Sequence, residues 1–515
     1  MVEITDAYVP TPHQPGRWNV FGALRPKYFD SDAPFIRQMS GTVLSYGDME
    51  QATERFAGAL QSKAIGKGDV VAVLLDKSPE GLMLYLALAR IGAVFLPVHS
   101  GLTDTEITHI FQDAKPKLSI CDPRFEALVT PLLPQPPLTL DISGQGSFTD
   151  EAATAAPLAT LADCDHEHPN ALVYTSGTTG KPKGAWIGCG QVVWNISAVR
   201  DVWDISSEDV LLHLNLMAFG IFATLLPIYA AGASIMFLPG SDIDGIVAAI
   251  SQATMLATVP TVYKRLLDAP EFTLERIRNM RLFITGSAPM RPDLFEAFHE
   301  RTGHALLDRY GMTEALLITS NRAGEARLAE NSGYPLPGSD IRLVQEDGQA
   351  TPEGQVGMIQ IRQPMPFRQY LNAPDKTVAS FTDDGWMITG DFGRLDAAGR
   401  LTVLGRGSEL IVTGGLNVYP KEVEELVNTL PGVSETAVIG LPHPEYGEVV
   451  VAVIETAEPQ VLPEPAEMRR LLRHSLAGYK VPKHFEIVAK FPRNALGKIK
   501  KSELRNQYIK HFENA

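Results

Sequence analysis

The chain has 515 residues, of which 45% are hydrophobic and 20% are charged, an ordinary composition for a globular protein. Its formal net charge of −15 argues against a nucleic-acid-binding protein, which needs a basic face to displace counterions from phosphates. The length exceeds what one hydrophobic core usually spans, so we expect at least two domains.

The cysteines and the first residues favour a cytoplasmic protein. Cys121, Cys164 and Cys189 lie far apart in the sequence and form no CxxC pair, which predicts neither a disulfide framework nor a zinc site. Residues 1–18 have no basic flank followed by an apolar stretch, so we expect no secretory signal.

The stretch 217–238 has no charged residue and is nominally long enough to cross a bilayer. Pro227 and the small residues Gly220, Gly232 and Ser234 interrupt it, and no positive cluster flanks it. We therefore predict a buried helix followed by a buried strand, with no membrane span.

Strands and helices alternate through much of the chain. A helix with apolar residues at helical spacing is predicted at 79–91, where Gly92 ends it. The predicted strands cover 70–75, 94–98, 118–122, 254–260 and 280–286. This alternation predicts an α/β fold with parallel sheets covered by helices on both faces. Ligands bind such sheets beyond the carboxyl ends of strands, here the loops after Val173–Tyr174 and Ile284–Thr285.

From about residue 340 the predicted strands become shorter and alternate with Gly and Asp turns. After residue 409 a small α+β unit is predicted, with helices at 420–430 and 465–477. Its predicted strands cover 436–441, 449–455 and 484–489. We place the boundary within 405–410, which gives an N-terminal domain at 1–406 and a C-terminal domain at 407–515.

The strongest local motif is YTSGTTGKPKG at 174–184, directly after an apolar strand. Its glycines and hydroxyl side chains allow N–H and O–H groups to face an anion, and Lys181 and Lys183 add positive charge. It is not a Walker A loop, because only two residues separate Gly177 from Gly180 and no Ser or Thr follows Lys181. A flexible polar hairpin is the alternative.

Four more motifs follow in order: YGMTE at 310–314, TGD at 389–391, GR at 405–406 and PRNALGK at 492–498. Together with the first loop they resemble the adenylate-forming superfamily of acyl-CoA synthetases, luciferases and peptide-synthetase adenylation domains. The resemblance implies a large N-terminal domain for ATP and a carboxylic acid, and a small mobile C-terminal domain. It also implies that the acid is activated as an acyl-adenylate and transferred to coenzyme A, with Mg²⁺ on the ATP.

The resemblance carries the nucleotide-binding roles over to this chain. The implied ATP-binding residues are Thr175, Ser176, Gly177, Thr178, Thr179, Gly180, Lys183, Gly286, Ser287, Ala288, Asp308, Arg309, Tyr310, Gly311, Met312, Thr313, Asp391, Arg406 and Lys498. Asp391 offers two acceptor oxygens to the ribose hydroxyls. Glu314 is the implied Mg²⁺ ligand, since a hard cation prefers carboxylate oxygen. In isolation, a Glu after Thr is more often a helix-capping residue, and the resemblance reverses that interpretation.

The implied catalytic residues are Lys498, Thr313 and Glu314. Attack of a carboxylate on the α-phosphorus brings two anions together, and a lysine between them stabilises the transition state. Without the resemblance, Lys498 would be part of a solvated basic tail. The resemblance further implies that the C-terminal domain rotates at a hinge near Ser408 before the thiol attacks. The residues implied to line the coenzyme A path are Gly414, Gly415 and Leu416.

Among these relatives the chain looks closest to the malonate–CoA ligases, on segments such as MRLFITGSAP, ITSN and VTGGLNVYPKEVE. That similarity implies that Arg281 binds the distal carboxylate of the acid, although a structural ion pair is the alternative. Met217 and Phe219 are expected to line the acyl pocket. Their segment, 214–220, is shorter than in the family and has no histidine, which favours a monocarboxylate or substituted acid; His213 lies just upstream.

The sequence leaves several alternatives open. The acid could be monocarboxylic, with a medium or long chain or an aryl group, and the acceptor could be a carrier-protein thiol instead of coenzyme A. A nucleotide-binding regulator without turnover is a third hypothesis, against which the set Lys498, Glu314 and Asp391 argues. The expected partners are the acid, ATP and coenzyme A, with no nucleic acid; a homodimer stays open. No role is assigned to Cys189.

Overall fold

The computed structural model describes residues 17–26, 31–39, 41–175, 182–215, 217–238, 242–286, 290–329, 331–345, 348–413, 416–443, 446–456, 461–494 and 497–512. The chain forms two compact units. The first contains Met1–Ile341 with Ile361–Met387, and the second contains Arg342–Gln360 with Ile388–Ala515.

The strands are, in chain order, β1 (Pro34–Arg37), β2 (Val43–Ser45), β3 (Val70–Leu74), β4 (Val94–Pro97), β5 (Leu118–Cys121), β6 (Leu138–Thr139), β7 (Pro169–Thr175), β8 (Lys183–Gly188), β9 (Val210–His213), β10 (Ser234–Phe237), β11 (Met255–Thr258), β12 (Leu282–Thr285), β13 (Leu307–Met312), β14 (Leu316–Ser320), β15 (Tyr334–Pro335), β16 (Asp340–Val344), β17 (Gly357–Arg362), β18 (Gln369–Tyr370), β19 (Met387–Leu395), β20 (Leu401–Arg406), β21 (Ile411–Thr413), β22 (Leu416–Val418), β23 (Glu435–His443), β24 (Gly447–Glu455) and β25 (His484–Val488).

The α-helices are α1 (Val20–Ala23), α2 (Tyr46–Ser62), α3 (Pro79–Ile91), α4 (Asp104–Ala114), α5 (Glu126–Val129), α6 (Ser147–Thr154), α7 (Cys189–Val202), α8 (Met217–Gly220), α9 (Leu226–Ala231), α10 (Ile243–Ala249), α11 (Pro260–Asp268), α12 (Pro292–Thr302), α13 (Pro374–Val378), α14 (Pro420–Val427), α15 (Pro465–Leu472) and α16 (Lys501–Phe512).

Two sheets form the first unit. The first sheet has the order β15-β14-β13-β12-β11-β9-β10-β1-β2, and it is parallel from β13 through to β1. The second has the order β18-β8-β7-β4-β3-β5-β6, and it is parallel from β7 to β6. The predicted α/β class with parallel sheets is confirmed.

The helix α3 shows why the sequence pattern was informative. Its N-cap Ser78 accepts a hydrogen bond from the Gly81 N–H, Pro79 occupies the first turn, and Gly92 ends it in the left-handed region at φ 67°. The bounds are the predicted ones, 79–91. Residues 81–91 are all buried, as expected for a helix that is apolar on every side.

The uncharged stretch 217–238 is divided as predicted. It forms α8, a π-helical segment at Ile221–Leu225, α9 and then the buried strand β10. Gly232 ends α9 with φ 74°, and it separates the helical part from the strand. No helix in the described part of the chain is both long and apolar enough to cross a bilayer.

The second unit is centred on two sheets, β16-β17-β19-β20 and β22-β21-β24-β23, with β25 parallel to β24. Alternate residues of β23 and β24 point to opposite faces. Val438 and Val450 pack with α14 and α15, whereas Ile439 and Val451 pack with α16. Helix α15 ends five residues before its predicted end, because 473–475 continue as turns. The functional domain boundary predicted at 406/407 stays a prediction.

We predict that Gly92→Ala destabilises the first unit by more than Gly303→Ala. Both glycines have positive φ, 67° and 72°, so each substitution adds backbone strain of about 1 kcal/mol. A Cβ at Gly92 would also lie 3.1 Å from the Cβ of Ala162 and from the Sγ of Cys164, whereas a Cβ at Gly303 meets nothing within 4 Å. Urea unfolding monitored by fluorescence measures the difference. Equal loss in the two variants would contradict the packing argument.

Candidate active site

The hairpin of β7 and β8 carries the loop with the predicted phosphate-binding motif. Thr175 ends β7 and pairs with Lys183 at the start of β8. The predicted site residues Ser176, Gly177, Thr178, Thr179 and Gly180, and also Lys181, lie outside the described residues. Because β7 is parallel to its neighbour β4, the loop lies at the carboxyl edge of this sheet. That is the expected location for a ligand site.

A second predicted wall lies at the carboxyl ends of β12 and β13. The two strands are parallel, and Thr285 pairs with Asp308. A Cβ at Gly286 would lie 3.2 Å from the Cγ and Cζ atoms of Arg309, so this glycine permits close approach of the Arg309 side chain on β13. The nearby Ser287 and Ala288 lie outside the described residues.

Arg309 is a half-buried cation within this wall. Burial lowers the pKa of its guanidinium, and Asp308 and Tyr263 oppose that effect. Its Nε is buried without a hydrogen-bond partner among the described residues. A buried donor of this kind is stabilised by an acceptor that a ligand supplies. Beyond it, Tyr310, Gly311 and Met312 continue β13.

Glu314 is held by two hydrogen bonds in the interior. Its backbone carbonyl accepts from Gln191 Nε2 at 2.6 Å, and its Oε1 accepts from the Tyr370 hydroxyl at 2.7 Å. The Nζ of Lys183 lies 5.5 Å from the centre of the same tyrosine ring. The end of the phosphate loop and the YGMTE segment, which includes Thr313, are therefore neighbours through Tyr370.

The environment of Lys183 suits an anion. Burial lowers the pKa of this lysine, the nearby ammonium of Lys376 lowers it further, and Glu314 opposes both. Two adjacent ammonium groups repel each other, and a polyphosphate between them would relieve that repulsion. One carboxylate with an oxygen left for a cation also fits Mg²⁺, which usually binds one or two carboxylates, phosphates and waters.

Sequence reasoning did not identify Tyr370 and Lys376. Tyr370 lies 56 residues after Glu314, and nothing in its segment predicts that the chain returns to this edge. Strand β18 pairs with β8, and Thr377 Oγ1 accepts a hydrogen bond from the Tyr370 N–H at 3.0 Å. That contact ties α13, and with it Lys376, to the strand.

The second unit brings together Asp391, Arg406 and Lys498. Asp391 pairs with Arg406 across β19 and β20, and its Oδ1 lies 3.4 Å from Arg406 Nε. Burial lowers the pKa of Lys498, Arg406 lowers it further, and Asp391 and Glu409 raise it. These three residues, predicted from motifs far apart in the sequence, therefore form one cluster of charges.

A tight turn presents Lys498. Its N–H donates to Asn494 Oδ1 at 2.9 Å, its carbonyl accepts from the Asn494 N–H at 2.9 Å, and Gly497 has φ 78°. Nearby, Lys501 bonds to Glu409 at 3.0 Å and to Glu424 at 2.8 Å. Lys501 is thus a structural cation that anchors α16, not a second catalytic lysine.

The hinge and coenzyme A predictions are less completely described. Ser408 lies in the short 3₁₀ helix Gly407–Glu409, next to the ion pair of Glu409 with Lys501. Gly414 and Gly415 lie outside the described residues. Leu416 is exposed on β22, with 48% of its surface accessible. These roles stay predictions.

The prediction that Arg281 binds a substrate carboxylate is contradicted by its contacts. Its Nε and Nη2 donate to Asp209 Oδ1 and Oδ2, each at 2.6 Å, and the carbonyls of Trp203 and Asp204 accept from Nη1 and Nη2. Arg281 precedes β12, so it lies at the amino edge of the sheet. The ligand edge is four residues away, roughly 13 Å at the rise of a strand.

The acyl segment and the cysteines lie in the interior. Met217 begins α8 and is buried, whereas the side chain of Phe219 lies outside the described part. Burial lowers the pKa of His213 to about 3, so its imidazole is neutral. Cys164 and Cys189 are buried free thiols that contact each other, although they are 25 positions apart. Cys189 has no assigned role.

Comparisons with known proteins identify the family. The model of the AMP-binding enzyme family matches residues 27–371, and that of the AMP-binding enzyme C-terminal domain matches 422–498. The chain belongs to the AMP-binding enzyme family.

Named relatives cover nearly the whole chain. An indoleacetate–CoA ligase from Aromatoleum aromaticum is 33% identical over 90% of this chain and 92% of its own length. A feruloyl-CoA synthase from Amycolatopsis is 32% identical over 91% and 94%. The crystal structure of ATP-bound MatB from Rhodopseudomonas palustris superposes with a TM-score of 0.93 at 38% identity, over 96% of this chain and 99% of MatB. The protein is an AMP-forming acid–CoA ligase that uses ATP, Mg²⁺ and coenzyme A.

We predict that Arg281→Ala lowers the free energy of unfolding by about 2 kcal/mol or more, because it leaves the Asp209 carboxylate without its cation. Burial raises the pKa of Asp209, but hydrogen bonds from Arg281, Ser206 and Thr254 outweigh it, so the net pKa is below its usual range. Urea unfolding measures the loss, and adding Asp209→Ala should restore part of it. A selective loss of malonate activity at unchanged stability would refute this structural role.

Proposed function

We propose that this enzyme activates a short carboxylic acid of the malonate class and transfers it to coenzyme A. The observation that supports the adenylation site is the contact of Tyr370 with Glu314 and Lys183, which joins the two predicted nucleotide-binding loops. A narrow cavity next to Met217, of about 20 Å³, favours a small acyl group. The similarity to malonate–CoA ligases in the sequence points to the same class.

The first half-reaction forms one bond and breaks another. A carboxylate oxygen of the acid bonds to the α-phosphorus, the bond from that phosphorus to the β-phosphate bridging oxygen breaks, and pyrophosphate leaves. Lys498 would stabilise the charge on the α-phosphate, with Thr313 beside it. Lys183 would bind the departing phosphates. Glu314 would hold Mg²⁺, which when bound offsets the charge of the phosphates.

The second half-reaction transfers the acyl group. The thiolate of coenzyme A bonds to the carbonyl carbon, and the bond to the phosphate oxygen breaks, releasing AMP. The thiol approaches a different atom from a different direction, so Lys498 has no part in this step. We propose that the predicted C-terminal domain, 407–515, rotates at Ser408 relative to the predicted N-terminal domain, 1–406. Gly414, Gly415 and Leu416 would then line the path of the pantetheine arm.

A panel of acids tests the substrate class. AMP release with ATP and coenzyme A should be fastest with malonate or a close analogue, and slower with propionate, octanoate, ferulate and indoleacetate. Fastest release with an aromatic acid would contradict the proposal. It would favour the aromatic acids after which two of the relatives are named. A phosphopantetheinylated carrier protein in place of free coenzyme A tests the alternative acceptor.

We predict that Lys498→Ala slows acid-dependent exchange of pyrophosphate into ATP on the order of 10²- to 10³-fold. The same variant should form thioester from supplied acyl-AMP and coenzyme A at nearly the normal rate. Lys500→Ala is the matched control, because Lys500 lies in the same basic run and bonds to Glu503 at 2.8 Å. Equal loss of both half-reactions in Lys498→Ala would contradict the two-step assignment.

A further inference from the structure

A small cavity lies at the carboxyl ends of β3 and β4, outside the residues predicted to bind the acid except for Met217. Its apolar wall includes Val73, Phe95, Val98 and Met217, and its polar wall includes Lys77 and His99. The volume, about 20 Å³, holds about one water-sized group. A long or aromatic acyl chain does not fit unless the wall moves.

The cavity is close to the end of β7, the strand that precedes the predicted phosphate loop. In the sheet order β7-β4-β3, β4 lies directly beside β7, which ends at Thr175. Neighbouring strands are about 4.8 Å apart, so the ends of β3 and β4 lie roughly 10 Å or less to the side of the end of β7. The cavity and the end of β7 therefore lie at the same edge of this sheet.

Lys77 connects the cavity to the other sheet. Its Nζ donates to the carbonyl oxygen of Leu214 at 2.6 Å, in the acyl segment that follows β9. Met217, three residues further on, lines the cavity, and its Cε would lie 3.6 Å from a Cβ at Gly81. The carboxyl edges of the two sheets therefore meet around this amine.

The amine is a poorly compensated cation. Burial lowers the pKa of Lys77 to about 8, and Asp76 offsets part of that effect. Asp76 itself bonds to Arg124 at 2.7 Å and to the Ser100 hydroxyl. Among the described residues no carboxylate lies within ion-pair distance of Lys77. One of its three donors is used by Leu214, which leaves two for a ligand.

His213 adds no positive charge at this place. Its imidazole is fully buried and neutral, and its Nε2 has no hydrogen-bond partner in the described part of the chain. A Cβ at Gly220 would lie 3.2 Å from that nitrogen. On the other side of the cavity, burial lowers the pKa of His99, so it too tends to be neutral.

We infer that Lys77 binds the distal carboxylate of a short dicarboxylic acid and that Met217 limits the length of the acid. Lys77 thus takes the place of the contradicted Arg281 as the cation that recognises the substrate, and the inference rests on the proposed function. A monocarboxylate of similar size would leave the ammonium without a carboxylate counterion, and a site built for a polar group discriminates strongly against a substrate that lacks it.

The test compares malonate with propionate, which replaces the distal carboxylate by a methyl group. Lys77→Met should lower kcat/KM for malonate on the order of 10²-fold and leave that for propionate unchanged or higher. Lys77→Gln keeps a donor for Leu214 without the charge and should show the same selective loss if Lys77→Met folds poorly. Lys63→Met, at a surface pair with Glu151, is the matched control.

A second variant tests the cavity independently. Met217→Ala should raise kcat/KM for succinate relative to malonate, because the smaller side chain enlarges the cavity while Lys77 remains in place. An unchanged ratio would overturn the length limit.

The outcomes separate the inference from the proposed function. Equal losses of kcat/KM for malonate and propionate in both Lys77 variants would overturn the inference. A raised KM for coenzyme A, with kcat/KM for both acids unchanged, would also overturn it, because the cavity would then bind the acceptor. If the unmodified enzyme releases AMP with other acids but not with any dicarboxylate, the substrate class fails while the ligase activity stands. If the unmodified enzyme releases AMP with none of the acids tested, the proposed function is overturned, and this inference with it.

Discussion

The hydrogen bond from the Tyr370 hydroxyl to Glu314 joins the two sheets of the first unit at the edge where we propose that the nucleotide binds. Glu314 follows β13 in one sheet, whereas Tyr370 belongs to the edge strand β18 of the other. The 2.7 Å contact fixes the carboxylate beside Lys183 at the end of the phosphate loop. If the proposed roles hold, a carboxylate for a metal and an ammonium for phosphate are arranged before ATP binds, which is how an enzyme stabilises developing charge without reorganisation.

The second unit supplies its own cluster of charges. Asp391 and Arg406 are paired by the register of β19 and β20, and a turn at Gly497 presents Lys498 beside them. Lys501 is only three residues away, yet it bonds to Glu409 and Glu424. One basic run therefore contains a lysine available to a ligand and a lysine that stabilises the unit.

Much of the fold was predictable because local signals agree with the final structure. The cap Ser78 and the terminator Gly92 fix α3, and the uninterrupted apolar runs of β3, β4 and β12 are typical of parallel strands buried on both faces. The predicted strands also put Thr175 and Thr285, which precede the two motif loops, at the carboxyl ends of β7 and β12. The contacts of Tyr370 with Glu314 and of Cys164 with Cys189 were not predictable, because they join distant segments.

The assignment of Arg281 failed for a physical reason. A residue that precedes a parallel strand lies at the sheet edge away from the ligand, and Arg281 precedes β12. Asp209 and Thr254 lie at the same edge, before β9 and β11, and Thr254 Oγ1 donates to Asp209 Oδ1 at 2.7 Å. Lys77 follows its strand, at the correct edge, but the sequence around it resembles the start of a helix. Both residues carry a positive charge, so charge alone does not distinguish them. Their positions before and after a parallel strand do, because only the residue after the strand lies at the ligand edge.

A crystal structure with ATP and Mg²⁺ tests the central claim most directly. The account predicts that the metal binds an oxygen of Glu314 and that the phosphates lie against Lys183 and Lys376, with the Tyr370 hydrogen bond retained. A nucleotide bound elsewhere, with Glu314 more than one water molecule away from any metal or phosphate, would contradict it.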